Sequence, residues 1–275
     1  NHRPIGIGVQ GLSDVFQILR IPFTSDEAKK ININIFETIY YHALKRSNEL
    51  AIEKGAYSSF CGSPISKGIF QFDMWGITPS ARYDWDSLKE SIMTYGIRNS
   101  QLIALMPTAS TSQILGSNEC IEPITSNLYL RRTSSGEFTI INKYLVQHLL
   151  ELNLWNDEMI NDLYKNRGSV QPINSLSSSF KEIYKTSYEL SQKQLINMSA
   201  DRGVYVSQSQ SLNLFLDVPT FNKLYSCHMY GWKCGLKTGS YYIRTLPKIK
   251  MQSFNLQPKK KEVCNLDGDC LMCGS

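Results

Sequence analysis

No run of apolar residues in this 275-residue sequence approaches the ~18 needed to cross a membrane, and the N-terminus lacks the basic-then-apolar layout of a secretory signal. Neither a membrane-spanning helix nor an export leader is expected; a cytoplasmic location is. The body of the chain also lacks a charge excess. Lys and Arg number 29 against 24 Asp and Glu, but Lys248, Lys250, Lys259, Lys260 and Lys261 all fall between Leu246 and Lys261, where there is no acid. Without that segment the signs balance, which argues against a nucleic-acid-binding face. Histidine is scarce, and His2, His42, His148 and His228 show no metal-ligand spacing. An initiator methionine is missing too, so a fragment or processed product is expected from Asn1 onward.

What is present suits a folded α/β chain. Hydrophobic residues make up 42%, charged 19% and aromatic 11%, close to ordinary globular proteins, and the length allows one large domain or two modest ones. Seven cysteines is an odd number in a chain long enough to have a real core, which points to a reducing compartment. Three of them, Cys264, Cys270 and Cys273, crowd into the end of the chain.

Apolar residues recur at helical spacing from Ile31 to Ile52, with Gly55 placed to end the helix, and a shorter helix is expected near Asp86 to Tyr95. Leu102 to Met106 is a run without alternation, as in a strand buried on both faces, and it ends at Pro107. Helices are expected over Asn142 to Leu154 and Asp157 to Tyr164, and a longer one over Ser178 to Asp201 closed by Gly203. Val204 to Val206, Leu212 to Leu216 and Tyr241 to Thr245 are expected as strands. Phe221, Leu224, Tyr225, His228, Met229 and Trp232 would share one helical face. Strands alternating with helices imply mainly parallel pairing. Residues 1–245 form the body, and 246–275, polar and without period, read as a flexible tail.

Four local motifs invite chemistry. Gly6-Ile7-Gly8-Val9-Gln10-Gly11 has the G-x-G-x-x-G spacing of dinucleotide sites, but with only five residues upstream the better reading is a glycine-rich turn into a helix at Leu12 to Leu19. Pro107-Thr108-Ala109-Ser110-Thr111-Ser112 gathers hydroxyls and backbone N–H groups where a strand turns into a helix, which can hold an anion or can simply cap the helix. Cys120, within Asn118-Glu119-Cys120-Ile121-Glu122, has no placed base and reads as a small buried hydrophobe. Cys270-Leu271-Met272-Cys273 is a CxxC whose dithiol suits thiol–disulfide exchange; metal binding is the other reading, although three thiols without a nearby His make a poor zinc set.

Taken together these blocks resemble the C-terminal part of the large, catalytic subunit of class I ribonucleotide reductases of the eukaryotic type. The resemblance rests on Asn1 to Leu12, Leu102 to Gly116, Ser199 to Gly203, Ser207 to Asn213 and Tyr230 through Thr245, and it extends into the tail. It implies the second half of a ten-stranded α/β barrel, and reduction of ribonucleoside diphosphates to 2′-deoxyribonucleotides by a cysteine thiyl radical. Pro107, Thr108, Ala109, Ser110 and Thr111 match the loop that holds the substrate phosphates. Tyr241 and Tyr242 match the pair that passes the radical inward, and Cys270 and Cys273 match the tail dithiol that re-reduces the active-site disulfide.

The resemblance further implies that no cofactor is bound by this chain. A di-iron small (beta) subunit supplies the radical, ATP and deoxynucleotide effectors bind regions upstream, thioredoxin or glutaredoxin regenerates the thiols, and two large subunits pair. The family's radical cysteine and its disulfide-forming cysteines belong upstream of Asn1, so these residues alone are expected not to turn over. Asn118 to Glu122 shares the radical motif's spelling but follows the phosphate loop, and is a decoy. The alternative from another class is a non-enzymatic thiol or zinc-binding interaction module.

Overall fold

The computed structural model describes residues 1–134 and 136–246. In chain order the helices and strands are α1 (Leu12–Ile18), α2 (Asp26–Lys54), α3 (Gln71–Met74), α4 (Trp85–Tyr95), α5 (Thr111–Leu115), β1 (Leu128–Thr133), β2 (Gly136–Ile141), α6 (Lys143–Glu151), α7 (Asp157–Lys165), α8 (Ser178–Ile183), α9 (Gln192–Gly203), β3 (Asn213–Leu216), α10 (Phe221–Lys233) and β4 (Tyr242–Thr245).

Helix α2 is the spine. Ser25 caps it by accepting the Ala28 N–H, and Gly55 ends it at φ 78°, a left-handed conformation that glycine adopts without a Cβ penalty. Ala28, Asn32, Phe36, Tyr40, Leu44 and Ala51 lie along its buried face at helical spacing. Tyr40 sits among Phe70, Phe72, Trp85 and Tyr205, with ring centroids 6.2–6.5 Å apart. Polar residues on this face are matched: Asn32 donates to the Met198 carbonyl and Asn48 to the Gly96 carbonyl, while buried Glu37 accepts from Ser80 and pairs with Arg82. Fully burying one ring such as Phe36 stabilises by roughly 1.5–3 kcal/mol, so this aromatic face fixes how α4 and α9 dock on α2.

The strands form a parallel series beside this layer. Ile7 bridges Ile103 and Leu105 bridges Gln210, both parallel. The chain from Gln210 continues into β3, which pairs parallel with β4 in a register that sets Asn213 against Tyr242. Glycine at position 8 allows close packing, since a Cβ there would displace the Met106 side chain and lie 3.2 Å from the Ala104 carbonyl. Gly11 takes φ 83° directly before α1. The G-x-G-x-x-G spelling is therefore explained by close strand packing and a turn into a helix.

The structure corrects several expectations. Residues 178–201 are two helices, not one: the chain leaves helical geometry after α8, where the Ser187 N–H donates to the Ile124 carbonyl and Glu189 accepts the Thr186 N–H. Val204 to Val206 is a buried turn and not a strand, since Tyr205 and Val206 donate back to the carbonyls of Arg202 and Gly203. Pairing is not wholly parallel, because β1 and β2 make an antiparallel hairpin from Leu128↔Ile141 to Thr133↔Gly136. The face of α10 carrying Phe221, Tyr225 and Trp232 is exposed, with only Gly231 of that helix buried. The strand series is open among the described residues, with no closed barrel.

Candidate active site

Two groups of candidate residues lie among the described residues, the loop before α5 and the tyrosine pair at β4. Pro107 follows the buried segment containing Ile103 and Leu105, and residues 107–110 make a loop and turn before α5. Thr108 adopts φ 56°, costly for a residue with a Cβ, and is anchored where its Oγ1 accepts the Cys120 N–H at 2.8 Å. Thr111 Oγ1 donates to Gln10 Oε1 at 3.0 Å, and Gln10 Nε2 donates to Ser117 Oγ at 3.1 Å. The Ser112 and Ile114 N–H groups turn back to the Thr108 and Ser110 carbonyls. No acceptor among the described residues takes the N–H groups of Ala109, Ser110 or Thr111, and buried Ser112 Oγ has no partner either. At five residues α5 carries little macrodipole, so anion affinity here would rest on these N–H and hydroxyl donors.

Tyr241 and Tyr242 stand at the start of β4 with ring centroids 4.3 Å apart and planes inclined by 59°. They do not sit on opposite faces of the strand as alternating residues would. Both rings are about half exposed, at 49% and 55%. The Tyr242 hydroxyl raises the Tyr241 phenol above its ordinary value. Backbone placement is specific: Tyr241 N–H donates to the Leu212 carbonyl at 2.7 Å, and Tyr242 N–H to Asn213 Oδ1 at 3.1 Å. Before the pair, Lys237 Nζ ties the preceding turn to Gln71 Oε1, the Val206 carbonyl and the Ser207 carbonyl at 2.6, 2.7 and 3.0 Å. Burial pulls this lysine down to about 8.

Residues 118–122 join the two sites through hydrogen bonds to Thr108 and Asn213. The sequence marks Glu122 only as the acid of a motif set aside there as a decoy, and gives it no role of its own. It is buried, accepts a hydrogen bond from Asn213 Nδ2, and is pushed by burial up to about 7; nearby Arg244 opposes the shift and Glu119 adds to it. A carboxyl raised in the folded state binds its proton more tightly there than in the unfolded chain. Stability should therefore fall as pH rises from about 4.5 through about 7, by up to ~3 kcal/mol. Glu122→Gln should flatten that decline in unfolding midpoints measured between pH 5 and 8. Cys120, by contrast, is wholly buried and burial pushes its thiol up to about 11, so a reactive thiolate is disfavoured.

Cys264, Cys270 and Cys273, and the tail from residue 247, lie outside the described residues. Among the described residues no group of three or more His, Cys, Asp or Glu side chains is placed to hold a metal ion, and no helix is long and apolar enough to cross a membrane.

Comparison with known proteins gives this geometry its context. The family model of the ribonucleotide reductase barrel domain matches residues 1–242. The ribonucleoside-diphosphate reductase large subunit of Dictyostelium discoideum is 57% identical over 94% of this chain and 30% of its own length. That of Danio rerio is 52% identical over 100% of this chain and 37% of its own length. Among solved structures, the Actinobacillus ureae class Id ribonucleotide reductase alpha subunit superposes with a TM-score of 0.68 at 31% identity, covering 90% of this chain and 39% of that one. The chain thus spans about a third of the length of these curated relatives. With a barrel-domain match over residues 1–242 and identities of 52–57% to these large subunits, the chain belongs to the ribonucleotide reductase large-subunit family.

Proposed function

We propose that these residues supply the phosphate-binding loop, the inner radical-relay tyrosines and the tail dithiol of a large subunit that reduces ribonucleoside diphosphates to 2′-deoxyribonucleoside diphosphates. In this reading the parallel series is part of a ten-stranded barrel completed by sequence upstream. The thiyl cysteine, the reducible disulfide pair and the effector sites belong to that upstream sequence. A di-iron small subunit supplies the oxidising equivalent when bound, thioredoxin or glutaredoxin supplies the electrons, and a second large subunit completes the assembly.

The observation that carries the reading is the set of unpartnered donors at Ala109, Ser110, Thr111 and Ser112, at the end of a buried parallel segment. A diphosphate brings several acceptor oxygens, and amides held by Thr108 and Gln10 need no reorganisation to meet them. The Tyr241–Tyr242 contact then offers a route for the radical. An ordinary phenol, with a pKa near ~10, is protonated at neutral pH, so its oxidation releases a proton with the electron, and two rings in contact can exchange both.

The test is Ser110→Ala with Thr111→Val in the full-length large subunit. Each lost hydroxyl should cost on the order of 1 kcal/mol of binding. KM for the ribonucleoside diphosphate should rise about thirtyfold, with kcat within about twofold. An unchanged KM would remove the phosphate role from this loop.

A further inference from the structure

Tyr242 is held by a side chain and not only by the sheet. Asn213, buried at the start of β3, bridges two groups: its Oδ1 accepts the Tyr242 N–H at 3.1 Å and its Nδ2 donates to Glu122. A primary amide can be turned over in its site, exchanging oxygen for nitrogen. Here the exchange would set an NH2 against the Tyr242 N–H, donor against donor. Glu122, by accepting from Nδ2, leaves Oδ1 facing Tyr242, and among the described residues Oδ1 is the acceptor that meets the Tyr242 N–H. Without Glu122, a buried Nδ2 would lack its partner, and the inverted amide would repel the strand it now holds.

The surrounding bonds make this a built device and not a chance contact. Asn118 Nδ2 donates to the Glu122 carbonyl at 2.6 Å, and the Glu122 N–H donates to the Glu119 carbonyl at 3.0 Å, so the acid sits on a closed turn. The turn is tied to the rest of the site by Asn118 N–H to Asp14 Oδ2 at 2.8 Å, Leu12 N–H to the Cys120 carbonyl at 3.3 Å and Cys120 N–H to Thr108. On the other side Glu119 meets Arg244 at 3.4 Å, two residues beyond Tyr242 and so on the same side of β4. The Asn118–Glu122 turn thus grips β4 at Tyr242 and at Arg244.

We propose that Glu122, acting through the Asn213 amide, is a positioning residue that holds Tyr242 in transfer geometry with Tyr241; this rests on the reading of the two tyrosines as a radical relay. Glu122 touches no reacting atom. Its effect is on the ring separation, to which electron and proton transfer are steeply sensitive.

The experiment uses the full-length large subunit with its small subunit. Glu122→Leu removes the acceptor at similar volume, Glu122→Gln keeps one, and Asn213→Leu removes the bridge. With Glu122→Leu, kcat should fall at least tenfold while KM for the ribonucleoside diphosphate stays within twofold; Glu122→Gln should recover most of the loss. Because both residues act on Tyr242 in series, the Glu122→Leu, Asn213→Leu double variant should lose no more than the worse single one. Unchanged kcat with Glu122→Leu, additive losses in the double variant, or a tenfold fall with Glu122→Gln would each overturn the proposal. If the Leu variants do not fold, Asn213→Asp replaces the Nδ2 donor at equal volume, and an unchanged kcat there overturns the proposal. Tyr242→Phe, assayed in parallel, separates the two levels. Retained turnover there removes the relay reading itself, whereas inactive Tyr242→Phe beside fully active Glu122→Leu removes only the positioning role.

Discussion

A full-length large subunit carrying Tyr242→Phe is expected to fold and bind ribonucleoside diphosphate as before and to lose turnover by at least a thousandfold. The Tyr242 ring is 55% accessible and its link to the fold runs through its backbone N–H, so removing the hydroxyl should shift stability by no more than ~0.5 kcal/mol. Phenylalanine keeps the ring, its packing on Tyr241 and the strand register with Asn213. It loses the one O–H whose release accompanies oxidation at an accessible potential. A benzene ring has no proton to give up and is far harder to oxidise, so no thermal relay can pass through it. Calorimetry should return unchanged unfolding, equilibrium binding should return an unchanged Kd, and the deoxynucleotide assay should return background. Turnover above about a hundredth of the parent rate would refute a relay through this pair.

The elements legible from the sequence were those whose pattern is local. Helix α2 announces itself through apolar spacing and Gly55, and α4, α6 and α7 through the same periodicity; the structure adds Asp84, Asn142 and Asn156 as their caps. The loop before α5 was legible as a hydroxyl-rich turn into a helix, and the resemblance implies a phosphate as its partner. What stayed hidden depends on distant groups. The break between α8 and α9 is fixed by the Ile124 carbonyl, more than fifty residues away in sequence, and helical periodicity across it is fortuitous. Val204 to Val206 has the composition of a strand but follows the end of α9, where apolar burial can be met equally by a tight turn. The β1–β2 hairpin carries only Ser135-Gly136 as a turn signal, weaker than Asn-Gly, and it was passed over. Glu122 was seen only as part of the discounted Asn118–Glu122 motif, because the partner that buries with it, Asn213, lies 91 residues on in the sequence.

Replacing both Cys270 and Cys273 with Ser in the full-length large subunit is expected to stop repeated turnover with thioredoxin while leaving a single round of reduction intact. Under the proposed function, each reduction of a ribonucleotide would take two electrons from a pair of thiols, leaving them as a disulfide. One tail thiolate would attack that disulfide to form a mixed disulfide, and the second tail thiol would resolve it. The first dithiol would thereby be restored and the oxidised pair would be Cys270 and Cys273, to be reduced in turn by a protein reductant. Two cysteines separated by two residues can close such a ring, and serine, lacking a thiol, can neither attack nor resolve. The double variant should therefore form no more than one product per active site with thioredoxin. Excess dithiothreitol, small enough to enter the site, should restore cycling. Single variants divide the roles: the resolving cysteine's loss should trap the mixed disulfide, visible as a thiol-sensitive species. Cys264 lies six residues before Cys270 and outside the CxxC, so Cys264→Ser should leave thioredoxin-driven turnover within about twofold. The competing zinc-module reading makes the opposite prediction. If the chain carries stoichiometric zinc, and the double variant loses it together with the fold, the thiols are structural and the shuttle is wrong.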